Sequence, residues 1–207
     1  MDNKKLIGTI VGVIGFVALI AGATFAWLSV TATVNNQFVG GTKNFIINYG
    51  KGTDIGTSTN KVLQLRNPTK SQVTTGKTTV TAAKTERDAP ASHFILTLNL
   101  TTNTFVTDSV IYAACKTSAC PTTALATVAA NGTITCGTGV TCGKITHGSK
   151  TAINVYDDTT TFNTDAAVDS TSYDVYLWID SVLLSNEDMN ASASIAGNIS
   201  ASATQVG

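Results

Sequence analysis

The chain is short of charge, proline and histidine, and each shortage removes a class of explanation. Charged residues make up 13% of its 207 residues, roughly half the usual share of a soluble domain. The 13 basic and 13 acidic residues cancel. Nucleic acid is thereby excluded as the main partner, because a phosphate backbone calls for a basic excess. Disorder is excluded too, since 43% of the residues are hydrophobic and the net charge is zero. The only histidines are His93 and His147. There is no H-E-x-x-H pair for a zinc protease, no G-x-S-x-G elbow and no phosphate-cradling loop. Asp157, Asp158, Asp165, Asp169 and Asp174 make one region acidic, but they lack the D-x-[DN]-x-[DN]-G spacing of a calcium loop and read as solvated turns. The expectation is a chain with no catalytic residues, no cofactor and no metal site.

What is abundant is threonine, 36 residues against 3 prolines. Threonine is stiff at its first side-chain torsion, which favours strands and lowers helix preference. An all-β body follows, with a weakly charged surface of the kind common on exported proteins.

The amino terminus is different. Lys4 and Lys5 precede 23 uncharged residues from Leu6 to Leu28, and the next charge is Lys43. A helix of that length would span ~35 Å, enough for a bilayer core. Lysines before the run and none soon after it place the amino terminus on the cytoplasmic side. A removed export signal is the preferred reading, with the cut between Ala26 and Trp27 after small residues at Thr24 and Ala26. A retained membrane helix is the alternative. After the run the period changes: Leu28, Val30, Ala32, Val34 and Phe38 fall on even positions, with Ser29, Thr31, Thr33 and Asn35 between them. Period two is the mark of a half-buried strand. The domain reading is therefore 1–26 export signal, 27–42 donor-type strand and 43–207 β-sandwich.

Eight to ten short strands separated by turns fill the body. The clearest are Ser92 to Thr101, with Phe94, Leu96, Leu98 and Leu100 on one face, and Ser172 to Asp180. In the latter, Tyr173, Val175, Leu177 and Ile179 alternate against Asp174, Tyr176, Trp178 and Asp180. A short helix fits only near Asn186 to Asn190. Strands at this spacing suggest two packed sheets, a sandwich or jelly roll. All four cysteines, Cys115, Cys120, Cys136 and Cys142, lie in one excursion from 115 to 143. An even number in an exported chain reads as disulfides. The pairing stays open between two local loops and a hairpin joining 115 to 142 and 120 to 136. Zinc is the weaker reading, because the second pair is spaced too widely for a structural site.

Three parts of the chain resemble a known family. Ala21 to Ser29 (AGATFAWLS) resembles the export signal of the TasA/camelysin family, which depends on a SipW-type signal peptidase. The carboxyl end, Tyr176 to Asp180 with Asn186 to Met189 and Ile199 to Ala203, is similar to the last two strands of TasA-like surface proteins of Gram-positive bacteria. Asn44 to Ile55 resembles an early strand and turn of the same group. Ala23 stands where that family usually has a second glycine, and the cysteine excursion has no counterpart in it. The resemblance implies a jelly-roll subunit, secreted to the cell surface and built into fibres of the biofilm matrix. The amino-terminal strand of one copy would complete a sheet of the next. The partner would be the chain itself, a head-to-tail homopolymer, with cell-envelope or matrix components in addition. A retained apolar helix would point instead to a type IV pilin-like subunit or a membrane-anchored adhesion module. Against the pilin stand the missing glutamate near the start of the helix and the missing processing site before Leu6.

Overall fold

A computed structural model describes residues 29–32, 47–50, 52–84, 92–160 and 169–205. The export signal, its expected cut between Ala26 and Trp27, and Leu28, Val34 and Phe38 lie outside these residues. The described chain is nearly all strand: β1 (Ser29–Ala32), β2 (Ile47–Gly50), β3 (Leu63–Leu65), β4 (Lys77–Lys84), β5 (Ser92–Asn103), β6 (Val110–Lys116), β7 (Ala126–Val128), β8 (Ile134–Cys136), β9 (Val140–Lys144), β10 (Ile153–Thr160), β11 (Asp169–Asp180) and β12 (Ile195–Gln205). One short helix, α1 (Asn186–Asn190), precedes the last strand. Among the described residues no helix is long and apolar enough to cross a membrane.

Two large sheets hold ten of the strands, and β7 and β8 form a separate antiparallel pair. The first has the order β1-β12-β5-β10, all antiparallel. The second runs β2-β4-β11-β6-β9, also antiparallel, with β3 lying parallel to the end of β11 that β4 leaves free. A main core lies between them. Phe94, Leu96, Leu98 and Leu100 of β5 and Ile195, Ile199 and Ala201 of β12 come from one side; Val80, Ala82, Tyr173, Val175 and Leu177 come from the other. The period-two pattern of β5 produces this directly, because alternate side chains of a strand share one face. Phe94 stacks on Tyr173 across the core at 4.7 Å between ring centroids, and Tyr156 of β10 meets the same ring at 5.1 Å.

A second core lies on the other face of the larger sheet. Tyr176, Trp178 and Asp180 alternate with Tyr173, Val175 and Leu177 along β11, and all three are buried as well. The cysteine-bearing excursion folds back over that face. Leu125, Ala126 and Val128, with Val73 from the segment between β3 and β4, cover Trp178, Tyr176, Ile111 and Ala113. The larger sheet is therefore apolar on both faces, and the excursion is its lid. Cys115 pairs with Cys120 and Cys136 with Cys142. Both bridges are local, at Cα separations of 5.3 and 5.6 Å. The first ties the exit of β6 into the second core, and the second joins β8 to β9. Neither links the two main sheets.

Buried asparagines and one aspartate fasten the loops. Asn60 accepts from the backbone N–H groups of Gly76 and Lys77 and donates to the carbonyls of Asp54 and Lys77. Asn103 donates to the carbonyls of Thr146 and Ser149. Ser185 caps α1 by accepting from the Asp188 N–H. The Asp188 carboxylate, 2% exposed, accepts from the Val106 N–H at 2.7 Å and from the hydroxyls of Thr107 and Ser185. Burial alone would raise its pKa, but the bonds from Thr107, Val106 and Ser185 outweigh it, and the net direction is down.

A depressed folded-state pKa adds stability that is present above the unfolded aspartate value of ~3.9 and lost as pH falls through the folded value. Asp188→Asn is therefore expected to cost about 1.5–3 kcal/mol at neutral pH, the scale of hydrogen bonds to a charged group. The gap to the parent protein should narrow as pH drops below about 4. Urea titrations of both proteins at several pH values check this, and a gap that widens in acid would contradict it.

Candidate assembly edge

A strand at the border of a sheet carries unpaired N–H and C=O groups on its outer side, and proteins either guard such edges or use them. In the smaller sheet the two borders differ. β10 is guarded. Its register against β5 shifts between Asn154 and Tyr156, a bulge that breaks the regular ladder. It also carries Asp157 and Asp158, the first beside His93 and the second 3.6 Å from the Lys116 ammonium. A bulged strand with adjacent carboxylates is a poor template for another strand.

The other border is β1. Its backbone lies antiparallel to β12, pairing Ser29 with Thr204, Val30 with Ala203, Thr31 with Ser202 and Ala32 with Ala201. Along β12 the buried positions are the odd ones, Ile195, Gly197, Ile199 and Ala201, with half-exposed residues between them. The register pairs Ala32 with buried Ala201 and Val30 with Ala203. Those even positions of β1 hold its apolar residues. The pairing is made within one molecule, so in this structure the expected donor strand closes its own sheet.

Beyond Ala201 the same edge of β12 is taken by another segment. Ile55 and Gly197 exchange both backbone bonds, at 2.9 and 3.0 Å. Gly197 permits the approach of β5 on its other side, since a Cβ there would sit 2.6 Å from the Asn99 carbonyl oxygen. Ile55 is 1% exposed and belongs to the main core. Sequence reasoning missed this contact. A glycine inside a strand pattern is a signal of close backbone approach, and Gly197 carried it.

Each of the two histidines sits beside one aspartate. His93 contacts Asp157, and His147 Nδ1 lies 2.7 Å from Asp108 Oδ1. Both pairs are solvent-exposed. The Asp108 carboxyl is held below its ordinary pKa, first by the His147 backbone N–H that it accepts, against a smaller opposing effect of burial. Among the described residues no group of three His, Cys, Asp or Glu is placed to hold a metal ion. An open cleft of about 260 Å³ lies between Val62, Phe105, Ile179 and Ile195, with Lys61 at its rim.

No protein-family model, no curated protein and no solved structure matches the chain. The geometry of the β1 edge and the paired cysteines therefore carry the functional reading alone. All described cysteines are bridged, which is the chemistry of an oxidising compartment.

Proposed function

We propose that this chain is an exported structural subunit, a two-sheet jelly roll that assembles into an extracellular filament by passing its amino-terminal strand to the next copy. The observation that carries the reading is the β1 edge. A terminal strand of four paired residues, with apolar residues at alternate positions, lies on the one border of the smaller sheet that is not guarded. The cis pairing is compatible with transfer. A neighbour's β1 would make the same four pairs with β12, so the exchange trades like bonds for like and is driven by local concentration. Transfer in one direction does not close on itself and propagates as a filament, whereas a reciprocal swap stops at a dimer. The apolar run from Leu6 to Leu28 supplies the export signal in this reading. The disulfides fit secretion to the cell surface. Self-association is the principal partnership, with envelope or matrix components beside it.

Negative-stain imaging of the purified mature protein, with sequencing of its amino terminus, tests the proposal. Filaments whose subunits begin at Trp27 are expected. Successive N–H groups of a strand point to opposite sides. Replacing both Val30 and Thr31 with proline therefore removes a donor facing β12 whichever residue supplies it. That double variant should stay folded and lose the filaments. Globular particles alone from the folded parent protein, or undiminished filaments from the proline variant, would overturn the reading.

A further inference from the structure

We propose that the Cys136–Cys142 bridge is a thiol-exchange site, at which a low-molecular-weight thiol forms a mixed disulfide with Cys136 and releases Cys142. The Cys115–Cys120 bridge is closed to the same chemistry. The inference concerns the cysteine-bearing excursion and does not rest on strand exchange.

The two bridges lie in one layer but in different surroundings. Cys115 and Cys120 are 0% and 6% exposed and belong to the second core. Cys136 is exposed, and Cys142 is half-buried against that core. Exchange requires a thiolate to reach a sulfur, and access decides which sulfur is attacked. Cys136 is therefore the point of attack and Cys142 the leaving group. The external sulfur bonds to Cys136 Sγ and the Cys136–Cys142 bond breaks. Its electron pair leaves on Cys142 Sγ, which takes up a proton from solvent in place of the one the external thiol gave up. Return attack by Cys142 expels the external thiol and restores the bridge.

The bridge can open without unfolding the protein. Among the described strands β8 is hydrogen-bonded to β7, and β9 to β6. The Cys136–Cys142 bond is thus a covalent join between the two-stranded lid and the border of the larger sheet. Other contacts seat the lid. Leu125, Ala126 and Val128 are buried in the second core. The Leu125 N–H donates to the Pro68 carbonyl, and the Val128 N–H to Asn67 Oδ1, both at 2.8 Å. The loop inside the bridge is held as well: the Gly137 N–H donates to the Leu125 carbonyl at 2.9 Å. A Cβ on Gly137 would sit 2.7 Å from the Ala124 carbonyl oxygen, so only glycine fits that approach. The loop closed is short, which keeps its share of stability small.

Reduced glutathione, added to the folded protein at mildly alkaline pH, supplies the thiolate for a test. Acid quenching, alkylation of the freed thiols and peptide mapping locate the products. Glutathione on Cys136 and an alkylated thiol at Cys142 are expected. Cys115–Cys120 should open more slowly by on the order of tenfold or more, because a buried bond reacts only through local opening. In denaturing urea the two bridges should open at comparable rates, since the fold alone distinguishes them. Hydrogen exchange on the adduct should show protection retained at 111–115. Equal opening of both bridges in the folded protein would overturn the inference. So would glutathione on Cys142 in place of Cys136, no adduct until the protein unfolds, or protection lost at 111–115.

Discussion

Trp178→Ala is expected to cost about 3–5 kcal/mol, the range for truncating a fully buried large aromatic. Trp178 is 0% exposed and sits in the second core beneath Leu125, Val128 and Val73. The folded-back excursion and Val73 cover it, so its removal empties the space between the lid and the larger sheet. The lid segments are short, β7 and β8 having three residues each, and are too small to hold their place without that apolar contact. The indole N–H is buried without a protein acceptor, so Trp178→Phe forfeits volume but no hydrogen bond between residues. It should cost clearly less than the alanine variant. Urea unfolding of both variants gives the two values, and hydrogen exchange at 126–136 reports whether the lid loosens first. A cost for Trp178→Ala of the size seen at an exposed position would mean that the excursion is an appendage and not a structural layer.

That second layer also shows where the sequence stopped being readable. The strand β5 was legible because one of its faces is wet: Phe94, Leu96, Leu98 and Leu100 alternate with His93, Thr97 and Asn99, and all four apolar residues are buried. The same logic found Tyr173, Val175 and Leu177. It did not reach the burial of Tyr176 and Trp178, because what covers them comes from residues 73 and 125–128, some fifty to a hundred positions earlier. Periodicity reports a strand's own two faces and carries no information about distant segments that arrive on one of them. The short helix was placed at Asn186–Asn190, where Ser185 caps it and acidic residues fill its first turn. Asn60 and Asn103 were not. In sequence they are polar residues in turns, and only the folded chain brings the carbonyls and N–H groups they bind within reach. The β1 edge was half legible. The alternation from Leu28 to Phe38 announced a strand, but its partner β12 lies at the far end of the chain, where Gly197 also meets Ile55.

Gly56→Ala is expected to destabilise the protein by about 3 kcal/mol or more, through a sum of named effects. Gly56 has φ +82°, a left-handed conformation that costs an L-residue roughly 1–2 kcal/mol. A Cβ there would sit 2.1 Å from the Ile195 carbonyl oxygen and 2.6 Å from the Ala196 Cα. Both are backbone atoms, so no side chain can swing aside, and residues 195–197 or 55–56 must move. Either movement strains the two bonds between Ile55 and Gly197, together worth about 1–3 kcal/mol. Gly148 is the internal control. It too is left-handed, at φ +65°, but nothing lies within 4 Å of its Cβ position. Gly148→Ala should therefore lose only the conformational contribution, about 1–2 kcal/mol. Paired urea titrations of the two variants separate crowding from strain, and equal losses would show that the close approach of 55–56 to β12 is not part of what holds the chain.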